Sequence, residues 1–285
     1  MEQSRALNEA LKLLTGLDND STKRANIVEY VKEKGTIAVF AYGSLIWNPC
    51  EHVEHIIPNC LLNGYTKGFI CQDFIYRGTK DFKGLTMGLK PCEKSFVKGY
   101  LLMASANKLI PFIEAFIKRE TPISVDGTKM DIYTYDFLPV IMPGGKTIEW
   151  ALTCVANSNS QFYLPMTLSI KQQAEIMSRA CGINGTNFQY LHNTLHTYRH
   201  LSLIDTFTVD MEELYATVLI YRQYLTKYER QWLESFEKLT TRDERELAIK
   251  LQRTNNVRMR KQNLFARICS IEPVVFPKYN RMVSV

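Results

Sequence analysis

No stretch of the 285-residue chain approaches the ~18 consecutive apolar residues that a membrane helix needs, although 46% of its residues are hydrophobic. The chain therefore has material for a large buried core and no transmembrane segment in its pattern. The opening MEQSRALNEALKLL lacks the basic start and apolar block of a secretory signal, so the expected setting is the cytoplasm. No CxxC pair occurs among the seven cysteines, Cys50, Cys60, Cys71, Cys92, Cys154, Cys181 and Cys269. An odd, irregularly spaced set favours reduced thiols, mostly small core hydrophobes, over a disulfide framework. Internal repeats and low-complexity tracts are absent too. The net charge is +6, and residues 1–223 contribute none of it, with 22 Lys/Arg against 22 Asp/Glu; residues 224–285 hold 13 against 7. An electrostatic partner would look to that end first.

What is present falls into three textures. Leu7, Leu11 and Leu14 recur at helical spacing before Gly16, and DNDST offers N-cap residues for a second helix through Ile27, Val28 and Val31 that Gly35 closes. From Thr36 the pattern turns to short Val/Ile/Tyr/Phe-rich strands at about 36–42, 60–76, 84–89, 96–103, 130–141 and 147–156. Within them SANKLIPFIEAFIKRE places Leu109, Phe112, Ile113 and Phe116 on one helical face, predicting an α+β unit whose sheet curls on itself. Beyond the polar loop NSNSQFYLP, helices follow after Ser169 and over about 187–199, separated by the glycine-punctuated CGINGTN. From about 211 a long helical periodicity turns heavily charged, and the closing SIEPVVFPKYNRMVSV is irregular. The expected organisation is a helical arm over 1–35, a strand-rich α+β unit over 36–210 and a charged helical extension over 211–285.

The string AVFAYGSLIWN, residues 38–48, is a core-bound strand interrupted by Gly43-Ser44. Glycine lets a ligand approach the backbone, and a turn directly after a strand leaves N–H groups without ladder partners, able to hold a carboxylate or an oxyanion. Ser44 adds a hydroxyl donor, and Tyr42 and Trp47 can wall a pocket with apolar faces. The same string also suits an ordinary turn with its aromatics in the core. A second candidate is Arg119-Glu120, at the C-terminal end of the helix predicted in SANKLIPFIEAFIKRE, residues 105–120. A carboxylate there lacks the N-terminal dipole that would help ionise it, and burial would raise its pKa toward that of a general base. The pair fits a solvated surface pair as well.

VFAYGSLIWNP, YRGTKDFKGLTMGL, VKGYLLM, RET, NSQFYLP and ACGINGTNFQYLHN, in this order over about residues 37–205, resemble the ChaC-type γ-glutamylcyclotransferase family, which degrades glutathione to 5-oxoproline and cysteinylglycine. The resemblance implies a small closed β-barrel flanked by helices, a lyase chemistry with no metal or organic cofactor, and glutathione or another γ-glutamyl compound as substrate. It implies that Tyr42, Gly43, Ser44, Leu45, Ile46 and Trp47 form the γ-glutamyl loop and that Glu120 is the catalytic carboxylate. Arg77, with Gly78, and Tyr163 match further motif positions and are candidates for substrate contact. A γ-glutamyl amide carries its own nucleophile, the α-amine, which can close a five-membered lactam; well-oriented intramolecular reactions reach effective molarities of about 10⁵ M. One carboxylate that takes a proton from the α-amine and gives one to the departing amine then suffices.

The chain departs from the family pattern after Asn48-Pro49, where Cys50-Glu51-His52-Val53 replaces glycine and an aromatic, and at Pro165 after Tyr163-Leu164. These positions bear on substrate choice rather than reaction type. His192, His196 and His200 fall at i, i+4, i+8, but without a carboxylate of the HExxH kind or a cysteine cluster they read as packed or surface histidines, as do His52 and His55. Cys50 is incidental, since lactam closure calls for no thiol. The basic tail interleaves Lys/Arg with Glu/Asp at helical spacing, which denotes a solvated helix or one docking a protein partner rather than nucleic acid. The competing expectations are a cyclotransferase for a different γ-glutamyl amide, and an interaction protein built on an inactive or ligand-sensing barrel.

Overall fold

Leu7 and Leu11 bury one face of α1 (Glu2–Leu11), and Leu14 and Leu17 carry the same apolar line through the following turn. These four residues, with Ile27 and Val31 of α2 (Ser21–Lys34), belong to the main core of the protein, so the N-terminal helices are part of the same packing unit as the strands. Asp20 caps α2 by accepting the Lys23 N–H, and Gly35 ends it at φ 68°, a left-handed conformation that glycine adopts without penalty. The computed structural model describes residues 2–121, 123 and 130–252. The closing irregular segment, Cys269 and the end of the charged periodicity lie outside the described residues.

Five strands, β1 (Thr36–Ala41), β2 (His55–Asp73), β3 (Gly84–Ser105), β4 (Tyr133–Ile141) and β5 (Ile148–Ala156), close into a barrel in the order β1-β3-β2-β4-β5. Every pairing is antiparallel except the one that closes it, where β1 runs parallel to β5 at Val39↔Leu152. β1 is buried at each position from Ile37 to Ala41, because the barrel interior takes one face and flanking elements the other. The barrel and flanking helices are those the resemblance implies.

Strand lengths differ from expectation. The patterns at 84–89 and 96–103 are the two buried ends of a single strand, β3. Between them Lys90 and Pro91 stay paired with Thr66 and Tyr65 of β2, and the stretch through Ser95 is half-buried to exposed, which erases the apolar signal. Register shifts between Ile57 and Cys60, Asn63 and Tyr65, and Gly68 and Cys71 bend this long hairpin around the barrel. β2 ends at Asp73 rather than 76 because its Oδ1 accepts the N–H groups of Ile75 and Tyr76, each at 2.7 Å, and turns the chain.

Helix α3 (Leu109–Glu120) buries Leu109, Phe112, Ile113, Phe116 and Ile117 against the core and delivers Glu120 at its last position. The segment CGINGTN forms a two-stranded ribbon, β6 (Cys181–Gly182) and β7 (Gly185–Thr186), between α4 (Ile170–Arg179) and α5 (Asn187–His200). Capping boxes at Ser169/Gln172 and Thr186/Gln189 set the starts of both helices. The expected boundary at 210 falls inside α6 (Thr206–Gln223), whose Met211, Leu214 and Val218 enter the main core. α7 (Lys227–Glu237) and a helix over 242–252 follow. No helix among the described residues is long and apolar enough to cross a membrane.

Two glycines hold the loop after β2 against its neighbours. A Cβ on Gly78 would lie 2.1 Å from the Gly84 nitrogen and 2.2 Å from the Asp73 carbonyl oxygen, and one on Gly182 would lie 2.5 Å from the Ile75 carbonyl oxygen. Backbone atoms cannot yield as a side-chain tip does, so Gly78→Ala is expected to destabilise by about 1–3 kcal/mol or more. Chemical denaturation would read it as a lowered midpoint at unchanged slope.

Candidate active site

The turn that breaks the opening strand is a single 3-10 turn, Ser44–Ile46, entered from Gly43. Its first internal bond runs from the Ile46 N–H to the Gly43 carbonyl at 3.1 Å, and the Asn48 N–H returns to Ser44 at 2.9 Å. The Ser44 and Leu45 N–H groups precede the first bond and have no acceptor within the turn, as at any helical start. Tyr42 anchors the strand end. Its hydroxyl donates to the Cys154 carbonyl at 2.8 Å, and its own carbonyl accepts the Tyr198 hydroxyl. Lys67, fully buried, donates to Tyr198 Oη at 2.9 Å and to Asp205 at 2.6 Å, so an internal ion pair backs the turn from behind.

Facing the turn, α3 ends with Arg119-Glu120. Arg119 Nε donates to Glu120 Oε1 at 2.8 Å and Arg119 Nη2 to Ser44 Oγ at 3.1 Å, so the guanidinium ties the carboxylate to the turn. The Tyr135 hydroxyl holds the Glu120 carbonyl at 2.7 Å. Among the described residues Glu120 Oε2 accepts no hydrogen bond. Burial raises the Glu120 pKa above the ordinary carboxylate range, and the Arg119 charge and hydrogen bond oppose that rise without cancelling it. The side chain is 14% exposed, and that remaining surface faces a cavity.

Two adjoining cavities meet at Ser44, Glu120, Tyr133 and Tyr190. The inner one is walled by Tyr42, Gly43, Leu45, Met87 and Cys154; the outer one extends past Trp47, Asp73, Tyr76 and Arg77. Arg77 is buried, its guanidinium carbon 5.3 Å from the Tyr190 ring centroid and 5.7 Å from that of Trp47. Loss of hydration lowers its pKa to about 10, which still leaves it a cation at neutral pH. Burial raises Asp73, while the N–H groups of Ile75, Tyr76 and Arg77 pull it back.

Of the residues singled out from sequence, Tyr42, Gly43, Ser44, Leu45, Trp47, Arg77 and Glu120 line these cavities. Ile46 points into the core, and Tyr163 lies beside β2 at Cys71 within a small cluster with Ile70, Ile132 and Phe162; neither lines them. Tyr133, Tyr190 and Asp73 were not singled out. Tyr190 stands inside the motif ACGINGTNFQYLHN, one helical turn past the Thr186 cap, and its hydroxyl accepts the Met87 N–H at 3.2 Å. Tyr133 donates to the Met87 carbonyl at 2.9 Å, a role that only barrel closure creates. Cys50 is buried with its thiol pushed up to about 11, chiefly by burial, far from a reactive thiolate. The rings of His192, His196 and His200 stack along α5 at 6.1 and 6.4 Å, and among the described residues no group of three His, Cys, Asp or Glu is placed to hold a metal.

A closed five-strand barrel carries, beside the turn that ends its first strand, a buried carboxylate on a cavity lined by Arg77 and Arg119, an arrangement suited to a small charged compound. The chain belongs to the ChaC-like protein family, whose model matches residues 37–221. It is 34% identical over 182 residues to a glutathione-specific γ-glutamylcyclotransferase of Schizosaccharomyces pombe (strain 972 / ATCC 24843), an alignment covering 59% of this chain and 86% of that protein. The crystal structure of a selenomethionine-labelled γ-glutamylcyclotransferase specific to glutathione from yeast superposes with a TM-score of 0.58 at 17% identity, covering 67% of this chain and 99% of that one. A second yeast structure of the same description gives 0.52 at 16% identity, over 66% and 99%. At such identities the structural likeness shows the shared fold.

Proposed function

We propose that the chain is a γ-glutamylcyclotransferase acting on glutathione, forming 5-oxoproline and releasing cysteinylglycine. The observation that carries this reading is Glu120 Oε2, which among the described residues accepts no hydrogen bond and stands beside the Ser44 turn. The γ-glutamyl residue enters the inner cavity with its α-carboxylate or its γ-carbonyl oxygen on the Ser44 and Leu45 amides, while Arg119 fixes Ser44 and Glu120 relative to each other. Glu120 takes a proton from the α-ammonium group, and the freed nitrogen attacks the γ-carbon. A C–N bond forms to close the five-membered ring, negative charge gathers on the carbonyl oxygen, and the original amide C–N bond breaks as Glu120 returns the proton to the departing cysteine nitrogen; the ring nitrogen's second proton passes to the released amine, so 5-oxoproline leaves as the neutral lactam and cysteinylglycine as an ammonium. Amide donors near the developing oxyanion contribute about 2.7–4 kcal/mol each when preorganised. The raised Glu120 pKa suits this shuttle, since a proton acceptor and donor in one reaction works best nearer the operating pH. The proposed setting is the cytoplasm, where glutathione is kept reduced.

The test is direct. Purified protein incubated with glutathione should release 5-oxoproline and cysteinylglycine in equal amounts, and a panel of γ-glutamyl amino acids and γ-glutamylamines ranks its preference. No 5-oxoproline from any member would overturn the reading. Gly43→Ala probes the pocket separately. A Cβ there would meet Tyr190 Oη at 3.7 Å and Met87 Cβ at 3.9 Å, ordinary contacts that let the protein fold. The methyl group occupies space the substrate needs, so KM for glutathione should rise by roughly tenfold or more, as for a one-carbon misfit, with little change in Tm.

A further inference from the structure

The family match ends at residue 221, yet the chain beyond it reaches the active-site cavity. Arg242, on the helix over 242–252, lines the same outer cavity as Ser44, Arg77, Arg119 and Glu120. The intervening segment is anchored to the ribbon that leads into α5. Glu237 of α7 accepts the Thr186 hydroxyl at 2.9 Å and pairs with Arg222 at 3.0 Å, and Gln189 Nε2 donates to the Glu237 carbonyl at 3.2 Å. Arg245 Nη2 donates to the Leu239 carbonyl at 2.6 Å, and Phe236 and Ile249 pack on Cys181. Arg242 itself is held on the cavity wall: its Nε donates to Asn184 Oδ1 at 3.0 Å, and its guanidinium carbon lies 5.8 Å from the Tyr76 ring centroid. Among the described residues its two terminal amino groups have no hydrogen-bond partner.

We infer that Arg242 is a specificity-determining residue that binds the carboxylate at the far end of the leaving group, the glycyl carboxylate of glutathione. The assignment rests on the cyclotransferase reading for the identity of the two ends. The charges facing Arg242 across the cavity support it. Among the described residues no carboxylate forms an ion pair with Arg242: Glu120 is engaged by Arg119, and Asp73 Oδ1 accepts backbone N–H groups of its own loop. With the γ-glutamyl end against the Ser44 turn, the rest of the tripeptide extends along the outer cavity toward Arg242, whose two terminal amino groups, unpartnered among the described residues, present the fork geometry that suits a carboxylate. The chain thus adds to the shared barrel a cationic wall from its own C-terminal segment.

Steady-state kinetics of the full chain with glutathione and with its glycyl amide, in which that carboxylate is replaced by a neutral carboxamide, test the inference. Arg242→Ala should raise KM for glutathione about tenfold with kcat within about twofold, and leave KM for the amide unchanged. Arg242→Lys should restore part of the preference, since the charge remains and the fork is lost. Equal changes for both substrates, or no change for glutathione, overturn the inference while leaving the cyclotransferase reading intact. If the native protein forms 5-oxoproline from neither, that reading fails, and calorimetric binding of the same two compounds decides for Arg242. Preferential binding of the free carboxylate, lost in Arg242→Ala, upholds its role, and equal binding overturns it.

Discussion

Glu120→Gln is expected to cut 5-oxoproline release from glutathione by at least about a hundredfold, the lower bound of what a positioned acid–base group contributes, while the protein stays folded and binds substrate within a few-fold of native affinity. Glutamine keeps the shape and can still accept the Arg119 Nε hydrogen bond, so the loss should fall on kcat rather than KM. The native enzyme should lose activity on acidification at a pH above the ~4.3 of an ordinary glutamate, because burial holds the Glu120 proton more tightly. The same shift has a stability consequence with a definite sign. A carboxyl whose folded pKa is raised stabilises the fold below its unfolded pKa, and that contribution is lost as pH rises through the folded value. Glu120→Gln lacks this dependence, so the Tm of the variant minus that of the native protein should increase as pH is raised from about 4 to 7. Turnover within tenfold of native would remove Glu120 from the chemistry and transfer the role to Asp73, a second carboxylate lining the outer cavity.

Asp205→Asn should have the largest effect on stability. The Asp205 and Lys67 side chains are 4% and 1% exposed, and their 2.6 Å contact is a buried ion pair. Asparagine retains the cap that Asp205 provides for α6 through the Thr208 N–H, so the substitution isolates the charge. Burial already lowers the Lys67 pKa to about 8 against the pull of Asp205; without that partner a buried ammonium is uncompensated. Removing one member of such a pair costs roughly 3–5 kcal/mol, which for a chain of this size lowers Tm by on the order of 10 °C. Adding Lys67→Met should recover most of the loss, since apolar groups replace buried ion pairs at little cost. Activity should fall in the single variant as well, because Lys67 supports Tyr198, whose hydroxyl holds the Tyr42 carbonyl at the mouth of the turn. A Tm within about 2 °C of native in Asp205→Asn would show that the pair contributes nothing net, as in many exposed pairs.

Much of the site was legible because it is local. The Gly43-Ser44 interruption, the aromatics around it and the helix ending in Arg119-Glu120 each follow from residue type and spacing. Arg77-Gly78 was legible only through the family motif; its physical reason is tertiary, since a Cβ on Gly78 would lie 2.1 Å from the Gly84 nitrogen. Tyr133 and Tyr190 carried no local sign: each is an ordinary aromatic within a strand or helix, and its role comes from the Met87 backbone that it meets in the fold. Arg242 looked like one more charge in a mixed run, because helical spacing describes neighbours along a helix and not the loop against which it docks. Lys67 likewise stood in a strand pattern with no hint of Asp205, a partner 138 residues away.

The sequence by itself determined the alternation and capping that make these helices and strands, the strand-breaking turn with its amide donors, and the carboxylate at a helix end. These are properties of backbone sterics and short-range hydrogen bonding, which act over a few residues. Tertiary structure alone decided that β3 is one strand and that the N-terminal helices share the barrel's core. It also decided that Glu120 loses enough water to raise its pKa, and that an arginine from beyond the family's common region lines the outer cavity. Desolvation and long-range electrostatics depend on what surrounds a group in space, and that neighbourhood exists only once the chain has closed on itself.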